Sequence, residues 1–354
     1  PHAGVAMAGR AEPPVALARL ASQGRVVTVD ESQLTLTPDE LRALGIDGAE
    51  SSGGWPALVA LARRAGRLSD YVWEEVVSAL GPRDRDRLAT LVALGRAEGW
   101  LLDELSGPEE DLALDQLPLV HRRGPELEAH SLWEERVDAL DTPAGVDRRR
   151  VAALDALIGH GRPEAAVDLA LRGVDGDHLD RALRAALTAF ETPPAPALHA
   201  WREALAGRPA SPAIALARGL AARDDDPASL VAIEQFEAAA DGFQAADDPV
   251  GETVARAQII ACAYSRGEPA LALPQLPRLV ELAPRDERAS AIALLGQAAV
   301  TVTLGDPEGA REVLARVPAD DLPTELRNVA DYFDFAVATQ LGHDACDVAD
   351  RLSR

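Results

Sequence analysis

Three turns of one form recur in the second half of the chain: Gly161-Arg162-Pro163-Glu164, Gly267-Glu268-Pro269-Ala270 and Gly305-Asp306-Pro307-Glu308. Glycine ends a helix by taking a left-handed conformation that other residues resist. Proline two residues later is preorganised for the first turn of the next helix. Each turn is followed by a small residue (Ala165, Ala270 and Ala310) that lets paired helices approach closely. The first and second turns lie about three tetratricopeptide periods of roughly 34 residues apart, and the second and third about one. A chain punctuated in this way stacks helix pairs. The units between are irregular, so residues 141–354 are expected to form a degenerate TPR-like helical-repeat array. Pro193-Pro194-Ala195-Pro196 and Asp224-Asp225-Asp226-Pro227 read as loops between its helices.

Composition agrees with a mainly α fold. Of the 354 residues 47% are hydrophobic but only 4% aromatic, so the apolar content is largely Ala, Leu and Val. Lysine is absent and all 35 basic residues are arginine, which excludes a P-loop lysine, a Schiff-base lysine or a Ser-Lys dyad within this sequence. With 58 acidic residues the net charge is −23, a poor balance for non-specific binding to nucleic acid or an anionic membrane. Two cysteines, Cys262 and Cys346, make neither a disulfide framework nor a zinc cage, and point to a reducing cytoplasmic compartment. The longest uncharged stretch, residues 289–305, is shorter than a membrane span and reads as a buried helix. HExxH, CxxC, GxSxG and GxGxxG are all absent, and the seven histidines are dispersed without metal-ligand spacing. The chain is therefore not expected to be an enzyme or to hold a metal. Its start at Pro1, in what reads as mid-domain sequence without a signal-peptide pattern, suggests a fragment of a longer protein.

The N-terminal half is more varied. Val5-Ala6-Met7-Ala8, ending in Gly9-Arg10, reads as a buried strand with a polar tip, where ligands sit in parallel α/β sheets. Residues 25–30 read as a second strand and 14–20 as a helix between them. Thr37-Pro38-Asp39-Glu40 opens a helix with a capping box and proline at its first position. Gly53-Gly54-Trp55-Pro56 breaks the chain before a helix at 57–65. Helices are predicted at 70–80, 83–94 (ending at Gly95) and 99–105. A hairpin is then predicted from 119–122 and 126–130 around Arg123-Gly124-Pro125. Helix, helix, short helix, hairpin is a winged-helix order.

Several segments, in order, resemble the STAND-class nucleotide-switch regulators, in particular MalT-like transcriptional activators. They are residues 5–10, Leu36-Thr37-Pro38-Asp39-Glu40-Leu41, Gly53-Gly54-Trp55-Pro56, Asp70-Tyr71-Val72-Trp73-Glu74-Glu75-Val76 and His130-Ser131-Leu132-Trp133. The run from Phe243 to Glu252 resembles that family's loops between helical repeats. The resemblance implies the remnant of an α/β NTPase domain at 1–36, a helical lid at 37–68, a winged-helix domain at 69–140 and the repeat array at 141–354. It implies ATP or ADP as the cofactor of the parent protein, with only part of its site here. It further implies an effector molecule or protein partner on the repeats, self-association on activation, and DNA contact only through a further domain. The P-loop, its magnesium-binding acid and a basic helix-turn-helix are not found in this sequence.

Three residues carry the implied nucleotide site. Arg10 matches the family's sensor arginine, whose planar guanidinium grips phosphate; on its own it reads rather as a surface arginine after a strand. Pro56 matches the lid proline that packs against adenine; alone it is a helix-start proline beside Trp55. His130 matches the winged-helix histidine that reaches the β-phosphate of a bound diphosphate; alone it is a strand-end histidine making a backbone hydrogen bond. A DNA-binding winged helix is rejected, because four arginines within 82–106 are outnumbered by five acids. Trp73 and Trp133 read as core. Tyr332, Phe333 and Phe335 form a C-terminal aromatic cluster, read as a helix–helix core with a peptide groove as the lesser alternative. The competing function is a TPR-like interaction scaffold with no nucleotide role.

Overall fold

The computed structural model describes residues 20, 23, 25–27, 29, 31–45, 56, 59, 77–109, 113–117, 119–134, 137–173, 176–188, 193–318, 322 and 324–342. The protein is mainly α-helical, with one small sheet among the described residues, and divides into two compact units, Pro1–Ala156 and Leu157–Arg354.

In the first unit, α1 (Glu31–Leu34) precedes α2 (Pro38–Leu44). The capping box forms as the sequence predicts. The Glu40 amide donates to Thr37 Oγ1 at 3.3 Å, and the Thr37 amide donates to Glu40 Oε2 at 2.7 Å. Those bonds to Thr37 hold the Glu40 carboxyl below its usual range. Gly45, left-handed at φ 59°, closes the helix. Leu41 is buried against Val59, with Leu36 alongside. Residues 25–27 and 29 are not strand, and Val27 is 87% exposed. The strand predicted at 25–30 therefore fails over those residues: a strand exists only through a paired neighbour, and no described residue pairs with it. The predicted strand at 5–10 lies outside the described residues, as does nearly all of the helix predicted at 57–65. Of the helix predicted at 70–80, residues Val77–Ala79 form a 3-10 turn and most of the remainder is outside the description.

From here prediction and structure agree closely. The third helix, α3 (Pro82–Leu94), starts with proline in its first turn and ends at Gly95, φ 75°. Strand β1 (Arg96–Glu98) leads directly into α4 (Gly99–Ser106). Strands β2 (Val120–Arg123) and β3 (Glu126–Ala129) form the expected hairpin, with Arg123 opposite Glu126 across Gly124-Pro125. The sheet is antiparallel throughout, in the order β1-β3-β2. Strand β1 was not foreseen: Arg-Ala-Glu has no β-branched or aromatic residue, and it is strand because β3 offers it an edge. On β3, Leu127 and Ala129 are buried while Glu126 and Glu128 are only half-buried, the period-2 pattern of a one-sided sheet. The core beneath comprises Leu88, Leu91, Leu102, Leu114, Leu119 and Trp133, the last on α5 (Ser131–Glu134). After α6 (Val137–Leu140) comes α7 (Pro143–Gly159). Its Arg149 holds Asp86 at 2.6 Å, Asp141 at 2.7 Å and Thr90 Oγ1 at 2.6 Å. Arg150 Nε donates to the Ala93 carbonyl at the end of α3.

The second unit is a succession of helices: α8 (Pro163–Leu171), α9 (Gly176–Leu187), α10 (Ala195–Ala204), α11 (Pro212–Asp225), α12 (Leu230–Ala245), α13 (Pro249–Arg266), α14 (Pro269–Ala272), α15 (Gln275–Leu282), α16 (Glu287–Thr303), α17 (Pro307–Leu314) and α18 (Thr324–Gln340). The three recurrent turns take the predicted form. Gly161, Gly267 and Gly305 have φ between 67° and 81°, and Pro163, Pro269 and Pro307 open α8, α14 and α17. The buried alanine, however, sits three residues after each proline, at Ala166, Ala272 and Ala310. Of the residues singled out from sequence only Ala310 is buried; Ala270 is exposed, because the position facing the neighbour is one turn into the helix. Residues 289–303 lie in the predicted buried helix, α16. Two loop expectations are corrected. Asp224 and Asp225 belong to the last turn of α11, and Ala195-Pro196 to the first of α10. Similarly Phe243 and Glu252 are buried within α12 and α13, leaving only 246–248 as the connection. At Gly219 of α11 an added Cβ would lie 2.4 Å from the Phe236 ring, so α12 seats there on bare backbone.

Candidate functional site

The three residues of the implied nucleotide site are not brought together by any described contact. Arg10 lies outside the described residues. Pro56 is helical and exposed. His130 is half-buried between β3 and α5. Its amide donates to the Leu119 carbonyl at 2.9 Å, and its carbonyl accepts from the Trp133 amide. These bonds fix its backbone at the sheet's end. Trp133 is core, while Trp73 lies outside the described residues. Among the described residues no group of His, Cys, Asp and Glu could hold a metal, and no helix is long and apolar enough to cross a membrane.

The second unit contains a cleft of about 580 Å³, within the range of small-molecule sites. Helices α13, α16 and α18 supply its walls, and Arg223 reaches it from the C-terminal end of α11. Its floor is set by close helix approach. A Cβ at Gly296 on α16 would lie 2.9 Å from both Ile260 Cδ1 and Leu276 Cδ2, so glycine lets α16 press onto α13 and α15. Small Ala257, Ala261 and Ala299 leave the space open above. One wall is aromatic: Tyr264 stands edge-on to Phe333 at 5.1 Å and to Tyr332 at 6.2 Å. Burial and the adjacent Tyr332 hydroxyl push the Tyr264 phenol up to about 12, so it is a neutral hydroxyl at physiological pH. Tyr332 and Val329 are 48% and 41% exposed at the mouth.

The electrostatics of this cleft rest on Arg223. Several arginines elsewhere in the unit meet carboxylates. Arg256 and Arg278 share Glu252, Arg184 meets Asp248, and Arg288 meets Asp286. Arg218 instead caps the Leu205 and Arg208 carbonyls. The hydrogen-bond partner of Arg223 among the described residues is the neutral Gln258 side-chain oxygen. The neighbouring acids are engaged elsewhere, Asp224 with His199 at 3.1 Å and Asp225 with Arg202. Burial lowers the affinity of Arg223 for its proton, only partly offset by Cys262 and Asp224. A guanidinium remains charged even so, which leaves a poorly compensated cation beside an apolar space. The buried Cys262 thiol nearby is pushed up by that same burial and is not activated.

Sequence reasoning found Tyr332 and Phe333 but missed the rest of this site. Arg223 sits among acids in the sequence, Arg-Asp-Asp-Asp, where it reads as solvated. No protein family matches the chain, and it matches no curated protein and no solved structure. Class is thus defined by the fold alone, a mainly α-helical protein with a ligand-sized cleft in its helical second unit.

Proposed function

We propose that the chain is the sensor and relay segment of a nucleotide-switched transcription regulator, and that its second unit binds the effector. The observation that carries this reading is the half-open cleft between α13, α16 and α18. The order helix, strand, helix, hairpin, with sheet order β1-β3-β2, supports a winged helix over 69–140. The Gly-x-Pro turns support a TPR-like stacking of helix pairs over 141–354. In this reading Arg10, Pro56 and His130 form one side of an ATP/ADP site completed by residues outside this sequence. Effector binding shifts a closed, diphosphate-bound form toward an open one that assembles; the difference needed is a few kcal/mol.

Two measurements test it. The Arg10→Ala, His130→Ala double variant of the full-length protein is expected to change nucleotide affinity or transcription output; unchanged values would leave only an interaction scaffold. Calorimetry of this chain with ATP and magnesium is expected to show no micromolar binding, because no lysine is present to meet the phosphates; micromolar affinity would refute the partial-site reading.

A further inference from the structure

We propose that the cleft between α13, α16 and α18 takes a small organic monocarboxylate with an apolar body, its carboxylate seated on Arg223 and Gln258. This rests on the effector reading above and adds the ligand's chemistry. Three observations carry it. The walls are mostly apolar, with Ile292, Ala299 and Phe333 offering hydrocarbon and ring surface, Ser265 and Asn328 adding neutral polar groups, and no charge besides Arg223. The cation is at the α11 side of the cleft, so a ligand would lie with one polar end and one apolar end. In a chain with 58 acidic residues, Arg223 has no carboxylate partner among the described residues, and its one hydrogen-bond partner is an amide oxygen.

Charge decides between ligand classes. A neutral ligand would cover the guanidinium while leaving it uncompensated, and an amine would add a second buried cation. A phosphate dianion would ask for more donors than one guanidinium, inside a molecule of net charge −23. A monocarboxylate matches the fork of a single guanidinium, with two parallel N–H···O bonds. The Gln258 side-chain oxygen accepts from Arg223, leaving the Gln258 NH2 group as a further donor.

The test is calorimetry on the whole chain with octanoate, octan-1-ol and octylamine, probes of one apolar length and different head charge. Octanoate is expected to bind at least about tenfold more tightly than either of the others. Arg223→Gln is expected to bring octanoate down to the level of octanol, and Ala261→Trp, on the exposed face of α13 at the cleft, to exclude both. The wild-type comparison needs no variant, so a folding defect in Arg223→Gln does not spare the proposal. If octanoate and octanol bind alike and Ala261→Trp excludes both, or if octylamine binds most tightly, the carboxylate proposal is overturned while the cleft remains a ligand site. If no probe binds, or if binding is indifferent to Ala261→Trp, the carboxylate proposal and the effector cleft both fall.

Discussion

Glu252 is a buried carboxylate of the second unit shared by two arginines. It is 1% exposed and receives Arg278 Nε at 2.8 Å, Arg278 Nη2 at 3.0 Å and Arg256 Nε at 2.9 Å. Burial works to raise its affinity for a proton, and the two guanidinium groups outweigh it, so its carboxyl is held below the usual 4.5. Asp248 behaves alike: burial opposes, and Arg184 together with the Gly251 amide prevails. Groups with lowered folded values bind protons more readily in the unfolded chain. Their contribution is therefore complete above the ordinary carboxylate range and lost as pH falls through the lowered values. Glu252→Gln is expected to cost about 2–3 kcal/mol at neutral pH, read from a urea midpoint. The gap between variant and wild type should shrink between about pH 5 and pH 3; a gap constant with pH would mean the charge was not the source. None of this was visible beforehand, since Glu252 lay in what read as a loop and its partner Arg278 is on α15.

Some helix ends, by contrast, were legible from local residues, Thr37-Pro38, Gly95 and the Gly-x-Pro turns among them. A proline fixes its own φ and a capping carboxylate bonds its own neighbours, so such signals need no tertiary partner. Asp306 Oδ1 accepts from the Gly309 amide at 2.9 Å and Asp248 Oδ1 from the Gly251 amide at 3.1 Å, the same cap before proline-led α17 and α13. They differ in one respect: Asp248 also meets Arg184 of α9. Asp306→Ala should therefore cost about 1 kcal/mol and Asp248→Ala about 2 kcal/mol. In an Arg184→Ala, Asp248→Ala cycle the excess should appear as coupling, and a coupling near zero would show the tie between α9 and α13 to be idle. Helix seating was not legible. Gly219→Ala is expected to cost about 1–3 kcal/mol in thermal unfolding, since Phe236 must move to admit one methyl; an unchanged melting temperature would contradict the close approach. Strand β1 and the buried-alanine register depended in the same way on what lay opposite.

At the scale of the whole molecule, charge sets behaviour toward other molecules. A net charge of −23 without lysine predicts no retained complex with duplex DNA at about 10 μM protein and about 50 mM salt, by gel shift; retention there would reopen the DNA-binding reading of the sheet-bearing unit. Composition, punctuation and capping by themselves determined that the chain is mainly helical, where α2, α3, α4 and the three helices after the Gly-x-Pro turns begin, and that a hairpin follows α4. Those properties are local, settled within a few residues by backbone geometry and solvation. The cleft was decided only by tertiary structure. Its lining comes from helices between Arg223 and Phe333, and its emptiness follows from which alanines and which glycine happen to face one another across the packing. A sequence records each of those side chains, but the space they leave, and an arginine paired with an amide rather than a carboxylate among the described residues, exist only once the helices are in contact.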